Sequence, residues 1–266
     1  ATYPEWFARV DGKRQPTKPC YSHPEVLAMA VRSALDEAAR GSSMVSMSPP
    51  DGLGYCECDR CLSVLEGGTP FRDKDALFGR RPDGLLVNVT SETLFSFVNR
   101  VAEEVSRHHP GVLVGCYAYS AYSHPPSFDL HPAVYLQVTS AFRRTGLSLE
   151  AQLDAFGKKT AQLGMREYFS VYQWDWDLPD PGALRPHVLQ RTLRLYRDHG
   201  VTAVNAEASC NWAPRGLGYY VAAKLLWNVD ADVPASLRDF YSTAFGPAAE
   251  PMARYYSRWY DPASDA

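Results

Sequence analysis

The chain has 266 residues, of which 45% are hydrophobic, and a formal net charge of −3. That much apolar mass builds a substantial core and excludes a disordered chain. Mild acidity without a long basic run disfavours nucleic acid and anionic membranes as partners, and no apolar run reaches the roughly 18 residues of a membrane span, so a small neutral or polar ligand fits better.

The chain opens on structured sequence, Ala1-Thr2-Tyr3-Pro4-Glu5-Trp6, without signal-peptide character, which predicts that residues precede it. A β-type run over 5–10 leads to Cys20, and apolar spacing then predicts a helix over 24–40. Residues 44–48 alternate Val45 and Met47 with Ser46 and Ser48, the pattern of a strand with one apolar and one small polar face. Asp51 follows in Ser48-Pro49-Pro50-Asp51-Gly52, which stands a carboxylate at the strand exit; the same pair reads as a turn whose carboxylate bonds only its own loop. Next comes Cys56-Glu57-Cys58-Asp59-Arg60-Cys61. With Cys20 these thiols offer four ligands to a tetrahedral metal, zinc by preference, while disulfides and free thiols are the other readings. Each gives the cluster a structural role.

Asn88-Val89-Thr90 is a glycosylation sequon by pattern. Helical spacing recurs over 91–108, 148–163 and 186–198, with β-type runs over 112–119, 134–139, 168–174 and 201–208 between, and closes with helices over 218–228, 235–244 and 248–260. Strand–helix alternation without an evident hairpin predicts a parallel sheet with helical crossovers in one domain over 1–266. In several strands one face becomes polar or aromatic toward the C-terminal end: Gly115, Tyr117 and Tyr119; Tyr135, Gln137 and Thr139; Ala203, Asn205 and Glu207. That is where a TIM barrel keeps its site. The expected class is α/β with a TIM-barrel-like (β/α)8 architecture, here partial, with about six βα units and C-terminal helices.

Glu207, near the end of the last strand, is the strongest candidate for acid, base or nucleophile. Tyr172-Gln173-Trp174-Asp175-Trp176-Asp177 ends another strand with acids and tryptophans together. Aromatic faces stack on pyranose C–H surfaces, and acids grip hydroxyls or move protons. Tyr117, Tyr119, Gln137, Tyr172, Trp174, Asn205 and Trp212 would line the pocket, and Glu207, Asp51 and Asp175 would carry acid/base hydrolysis of a carbohydrate without a catalytic cofactor. The competing reading is a carbohydrate-binding barrel without catalysis. Arg14, Arg143 and Arg144 are candidates to hold a uronate carboxylate, Trp227 reads as helix packing, and Cys116 and Cys210 read as buried or pocket thiols.

Pro4-Glu5-Trp6-Phe7, Gly12-Lys13-Arg14, Cys20 with His23-Pro24-Glu25, the Ser46-to-Gly52 run, the Cys56-to-Cys61 cluster, Glu207 with Trp212, Lys224-Leu225-Leu226-Trp227-Asn228 before Asp230 and Asp232, Asp239-Phe240-Tyr241, and Phe245-Gly246-Pro247-Ala248 together resemble a bacterial family catalogued as domain of unknown function 4838. The resemblance runs nearly end to end. That family is similar to TIM-barrel glycoside hydrolases of the α-glucuronidase and β-hexosaminidase kind, which implies a barrel catalytic domain, an upstream α/β domain and an extracytoplasmic setting. It marks Asp51, the cysteines and Glu207 as family-pattern positions. The adjacent Asp-Glu pair of the hexosaminidases is missing, since Pro50-Asp51-Gly52 stands there.

Overall fold

The structure, a computed structural model, describes residues 2–160, 162–171, 184–208 and 212–260. It divides into two compact units, 1–166 with 200–204 and 167–199 with 205–266.

The first unit begins with β1 (Phe7–Val10) and β2 (Lys13–Pro19), an antiparallel hairpin in which Val10 faces Lys13. The turn residues Asp11 and Gly12 have φ of 48° and 77°. Two consecutive left-handed residues suit the right-handed twist of a two-residue hairpin, and Asp-Gly is a pair that adopts them. The expected first strand of the parallel sheet is therefore a hairpin arm. His23 then caps α1 (Pro24–Ala39), its Nδ1 accepting from the Glu25 N–H at 3.2 Å.

After β3 (Met44–Ser46) and the short α2 (Asp59–Leu62) come β4 (Pro70–Asp73), β5 (Ala76–Arg80) and β6 (Leu86–Asn88). They form an antiparallel sheet that the sequence reading did not anticipate. Its first turn is Lys74-Asp75, with φ of 48° and 63° and no glycine to announce it. Asn88 caps α3 (Val89–His108) and donates its side-chain amide to the Ala121 carbonyl at 3.0 Å. It is fully buried, so the sequon is a structural cap in this fold, not an open glycan acceptor. Asn88→Ala removes both bonds; thermal or denaturant unfolding should show a loss of about 1–2 kcal/mol.

Strand β3 pairs in parallel with β7 (Leu113–Ser120), β7 with β8 (Val134–Arg143), and β8 with β9 (Leu163–Tyr168). With β10 (Val204–Glu207) they make a five-stranded sheet in the order β10-β9-β8-β7-β3. The fold is thus mixed α/β around a five-stranded parallel sheet; among the described residues the strands do not add up to the expected six βα units. Expected helix 148–163 is the shorter α4 (Leu149–Gly157), and the strand expected over 168–174 lies earlier, as β9. Leu163 and Met165 account for that shift: on β9 they fill the sheet's apolar face.

Strand register sorts the two faces. Val45, Val114 and Val134 form one row, Cys116, Leu136 and Leu163 the next, and Ala118, Val138 and Met165 the third. All nine are at most 2% exposed. Ser46, Gly115 and Tyr135 share a row of the opposite face, followed by Tyr117, Gln137 and Gly164, then Thr139 with Arg166. Gly164 is required by a close approach: a Cβ there would run into the Tyr135 phenol. Gly164→Ala should destabilise the protein by about 1–3 kcal/mol in denaturant unfolding, the usual result of overpacking.

In the second unit α5 (Pro186–Asp198) carries Tyr196, whose hydroxyl donates to the buried Glu167 carboxylate. Its other helices are α6 (Trp212–Trp227), α7 (Val233–Phe245) and α8 (Ala249–Tyr260). Phe240 and Tyr256 meet edge to face at 6.2 Å between α7 and α8. Trp227, expected as packing, is 94% exposed. No described helix is long and apolar enough to cross a membrane.

Candidate functional site

Cys20 ends the hairpin, while Cys56, Cys58 and Cys61 lie on the loop into α2 and on α2 itself. All four are buried, and their sulfurs lie within 4.8 Å of one another. The sulfurs of Cys20 and Cys58 are 3.7 Å apart, Cys20 and Cys61 3.8 Å, and Cys58 and Cys61 3.7 Å. A tetrahedron with metal–sulfur bonds of about 2.3 Å has sulfur–sulfur edges of about 3.8 Å. A disulfide needs about 2.05 Å, and the five described cysteines are free thiols. Cys210 lies outside the described residues. The group therefore fits a metal ion such as zinc.

The surroundings favour thiolate at Cys56. The Arg9 N–H donates to the Cys56 sulfur at 3.2 Å, Arg14 approaches it at 3.8 Å, and the Ser22 hydroxyl lies 3.2 Å from the Cys61 sulfur. Hydrogen bonding from Cys20 and Cys61, with the Arg9 amide, holds Cys56 well below the ordinary thiol range. The same sharing with Cys56 pushes Cys20 up to about 11. Cys116, by contrast, is pushed up to about 12 by burial, so it is a neutral packing thiol and not a nucleophile.

Asp51 lies on the exposed stretch after β3, and its Oδ1 accepts from the Gly52 N–H at 2.7 Å. The loop is tied to β7 where the Tyr117 N–H donates to Ser48 Oγ at 3.3 Å. From below, Lys18 of β2 donates to the carbonyls of Pro50 and Asp51 at 2.5 and 3.0 Å, and its ammonium lies 4.7 Å from the Tyr55 ring centre. Lys18 is only 1% exposed. Tyr55 in turn stacks on Tyr21 at 6.4 Å and meets Tyr122 edge on at 5.7 Å. Burial keeps all three phenols above the usual tyrosine range, so they act as neutral hydroxyls. Sequence reasoning missed Lys18, Tyr55 and Tyr122; Thr17-Lys18-Pro19 reads as an ordinary solvated strand edge.

Tyr117 and Gln137 are register partners on the polar face, half-buried both. Tyr119 continues that face and meets Tyr122 and Phe142 edge on at 6.2 and 6.1 Å. At the strand exits Ser120 and Phe142 have φ of 47° and 56°, left-handed conformations that non-glycine residues avoid. In the second unit, Asn205 and Glu207 share one side of β10, and the Glu207 carbonyl accepts from the N–H groups of Phe169 and Ser170 at 2.9 and 3.1 Å. Tyr172, Trp174, Asp175 and Asp177 lie outside the described residues, as does the side chain of Trp212.

The arginines considered for a uronate are engaged within the fold. Arg14 donates to the Phe7 carbonyl at 2.5 Å, and Arg143 to the Leu147 carbonyl and Gln152 at 3.1 and 3.3 Å. Arg144 pairs with Asp75 at 2.7 Å and also donates to the Lys74 carbonyl. They brace strand ends and turns.

The family description "Domain of unknown function (DUF4838)" matches residues 1–258, and the chain belongs to that family. No curated protein matches the chain.

Proposed function

We propose that this DUF4838 chain is a glycoside hydrolase-like domain that receives an oligosaccharide at the C-terminal edge of its parallel sheet. The observation that carries this reading is the polar, aromatic face ending there: Tyr117 beside Gln137, then Tyr119, bounded by the left-handed Ser120 and Phe142. Strained backbone of this kind persists where surrounding structure enforces it, and it concentrates at binding and catalytic edges. Tyrosine faces suit pyranose C–H surfaces, and the Gln137 amide offers both donor and acceptor to hydroxyls. In this reading Glu207 is base or nucleophile, and Asp51 or Asp175 is the acid that protonates the leaving oxygen. Tyr172, Trp174, Asn205 and Trp212 are the further candidates for sugar contact in this reading.

The bond from Gly52 N–H to the Asp51 carboxylate favours a second reading, in which the acid serves its loop and the domain binds glycan without cleaving it. The four thiols hold a structural zinc, which supplies a crosslink between hairpin and loop and no chemistry to the substrate. The full chain should be incubated with a panel of neutral and uronate-containing oligosaccharides, following reducing-end release together with binding calorimetry. Turnover supports hydrolysis, binding alone supports the second reading, and neither one overturns both.

A further inference from the structure

We infer that Lys18 couples the four-thiol centre to the Asp51 corner, so that metal occupancy sets the order of the loop presenting Asp51. The inference rests on reading the thiols as a zinc site and deepens the proposed strand-end site.

Three observations converge on it. First, the loop has little of its own to hold it: Asp51, Gly52 and Leu53 are exposed, and the Asp51 carboxylate bonds to the neighbouring Gly52. Second, Lys18 reaches it from a different element. The ammonium is buried, donates to two successive loop carbonyls and lies over the Tyr55 ring, so one side chain grips Pro50, Asp51 and Tyr55 together. A buried ammonium is costly unless its donors are satisfied, so the loop carbonyls and Lys18 need each other.

Third, the hairpin carrying Lys18 is joined to the loop through the cysteines. The buried cluster between them consists of Ala8, Cys20, Cys56, Cys58 and Cys61, with Val10 packed against it. Four of these five residues are the metal ligands, so the local core is the metal centre itself. Beside the cysteines, the join is made by Glu57 N–H to the Arg9 carbonyl at 2.8 Å, Arg9 N–H to the Cys56 sulfur at 3.2 Å, and the Arg9 guanidinium on the Glu57 carbonyl and Asp59 at 3.1 and 2.8 Å, the last pair at an exposed carboxylate. Without the ion four buried thiols lose their crosslink, and the hairpin no longer holds Lys18 beneath Pro50 and Asp51. Lys18 is thus a positioning residue that acts through the loop backbone.

The test measures backbone order at Asp51–Tyr55 by 15N relaxation in the full chain, with zinc bound and after chelation, for wild type and Lys18→Met. The zinc-loaded wild type should give order parameters near 0.85. Zinc-loaded Lys18→Met should keep one zinc per chain yet fall below about 0.6 in this loop, and chelation should do the same to wild type while adding little to the variant. Lys18→Arg, which keeps a cation able to reach the carbonyls, should restore part of the order. A rigid loop in zinc-loaded Lys18→Met, a rigid loop in zinc-free wild type, or fully additive effects would overturn the coupling. If Lys18→Met does not fold, the zinc-free wild type decides by itself. A chain that takes up no zinc overturns both the metal reading and the coupling, whereas one that takes zinc with an indifferent loop overturns the coupling alone. No sugar enters the measurement, so a catalytically silent chain leaves it standing.

Discussion

Cys61→Ser is expected to empty the thiol centre and to lower the melting temperature by about 10 °C. Cys61 is 1% exposed, and its sulfur lies 3.8 Å from Cys20 and 3.7 Å from Cys58, so it closes two edges of the tetrahedron. Serine fits the space but offers a neutral, hard hydroxyl where zinc takes a soft thiolate. A ligand that binds only the folded chain adds about 4 kcal/mol when its free concentration is about a thousand times its dissociation constant. For a chain of this size each kcal/mol corresponds to roughly 2–4 °C. Calorimetry with zinc and with a strong chelator checks it: wild type should show the shift, Cys61→Ser should show none, and zinc per chain should fall below about a tenth of the wild-type value. Equal melting temperatures for wild type with zinc and with chelator would refute a structural metal.

The features that the sequence made legible are those in which one residue type does one local job. The helix over 186–198 was placed to the residue because its apolar stripe is uninterrupted between Pro186 and the turn after Asp198. The polar face of β7 was equally plain, since burial alternates strictly from Leu113 to Ser120. Features set by contacts distant in sequence were hidden. The hairpin at Lys74-Asp75 uses left-handed residues with ordinary side chains, so only the pairing of Pro70 with Gly79 reveals it. β9 was misplaced because an apolar run beside a helix fits either period until the register with Leu136 and Val138 selects the strand. Lys18 was invisible for a related reason: a lysine in a short strand reads as solvated, and its burial depends on carbonyls more than thirty residues onward.

Glu207→Gln is expected to lower turnover of a cleaved oligosaccharide by about 10²–10⁴-fold while leaving its affinity within a few-fold. The exchange keeps the size and the hydrogen-bonding reach of the side chain but removes the carboxylate that the proposed role requires to take a proton or attack carbon. The backbone bonds from Phe169 and Ser170 to the carbonyl of residue 207 do not depend on the side chain and should persist in the variant. Asn205 projects from the same side of β10, so sugar contacts made there persist in the variant. The discriminating measurement is kcat against KM: a loss confined to kcat marks proton transfer or nucleophilic attack, whereas a loss confined to KM marks an ordinary binding group. Asp51→Asn separates the roles further. An acid that protonates the leaving oxygen matters most for poor leaving groups, so the variant should retain activity on activated aryl glycosides and lose it on natural linkages. If Asp51→Asn is silent on both substrates while Glu207→Gln is not, the acid lies elsewhere and Asp175 becomes the residue to replace. If both variants are silent on a substrate that is still cleaved, neither carboxylate takes part in cleavage and the proposed roles of Glu207 and Asp51 fall together.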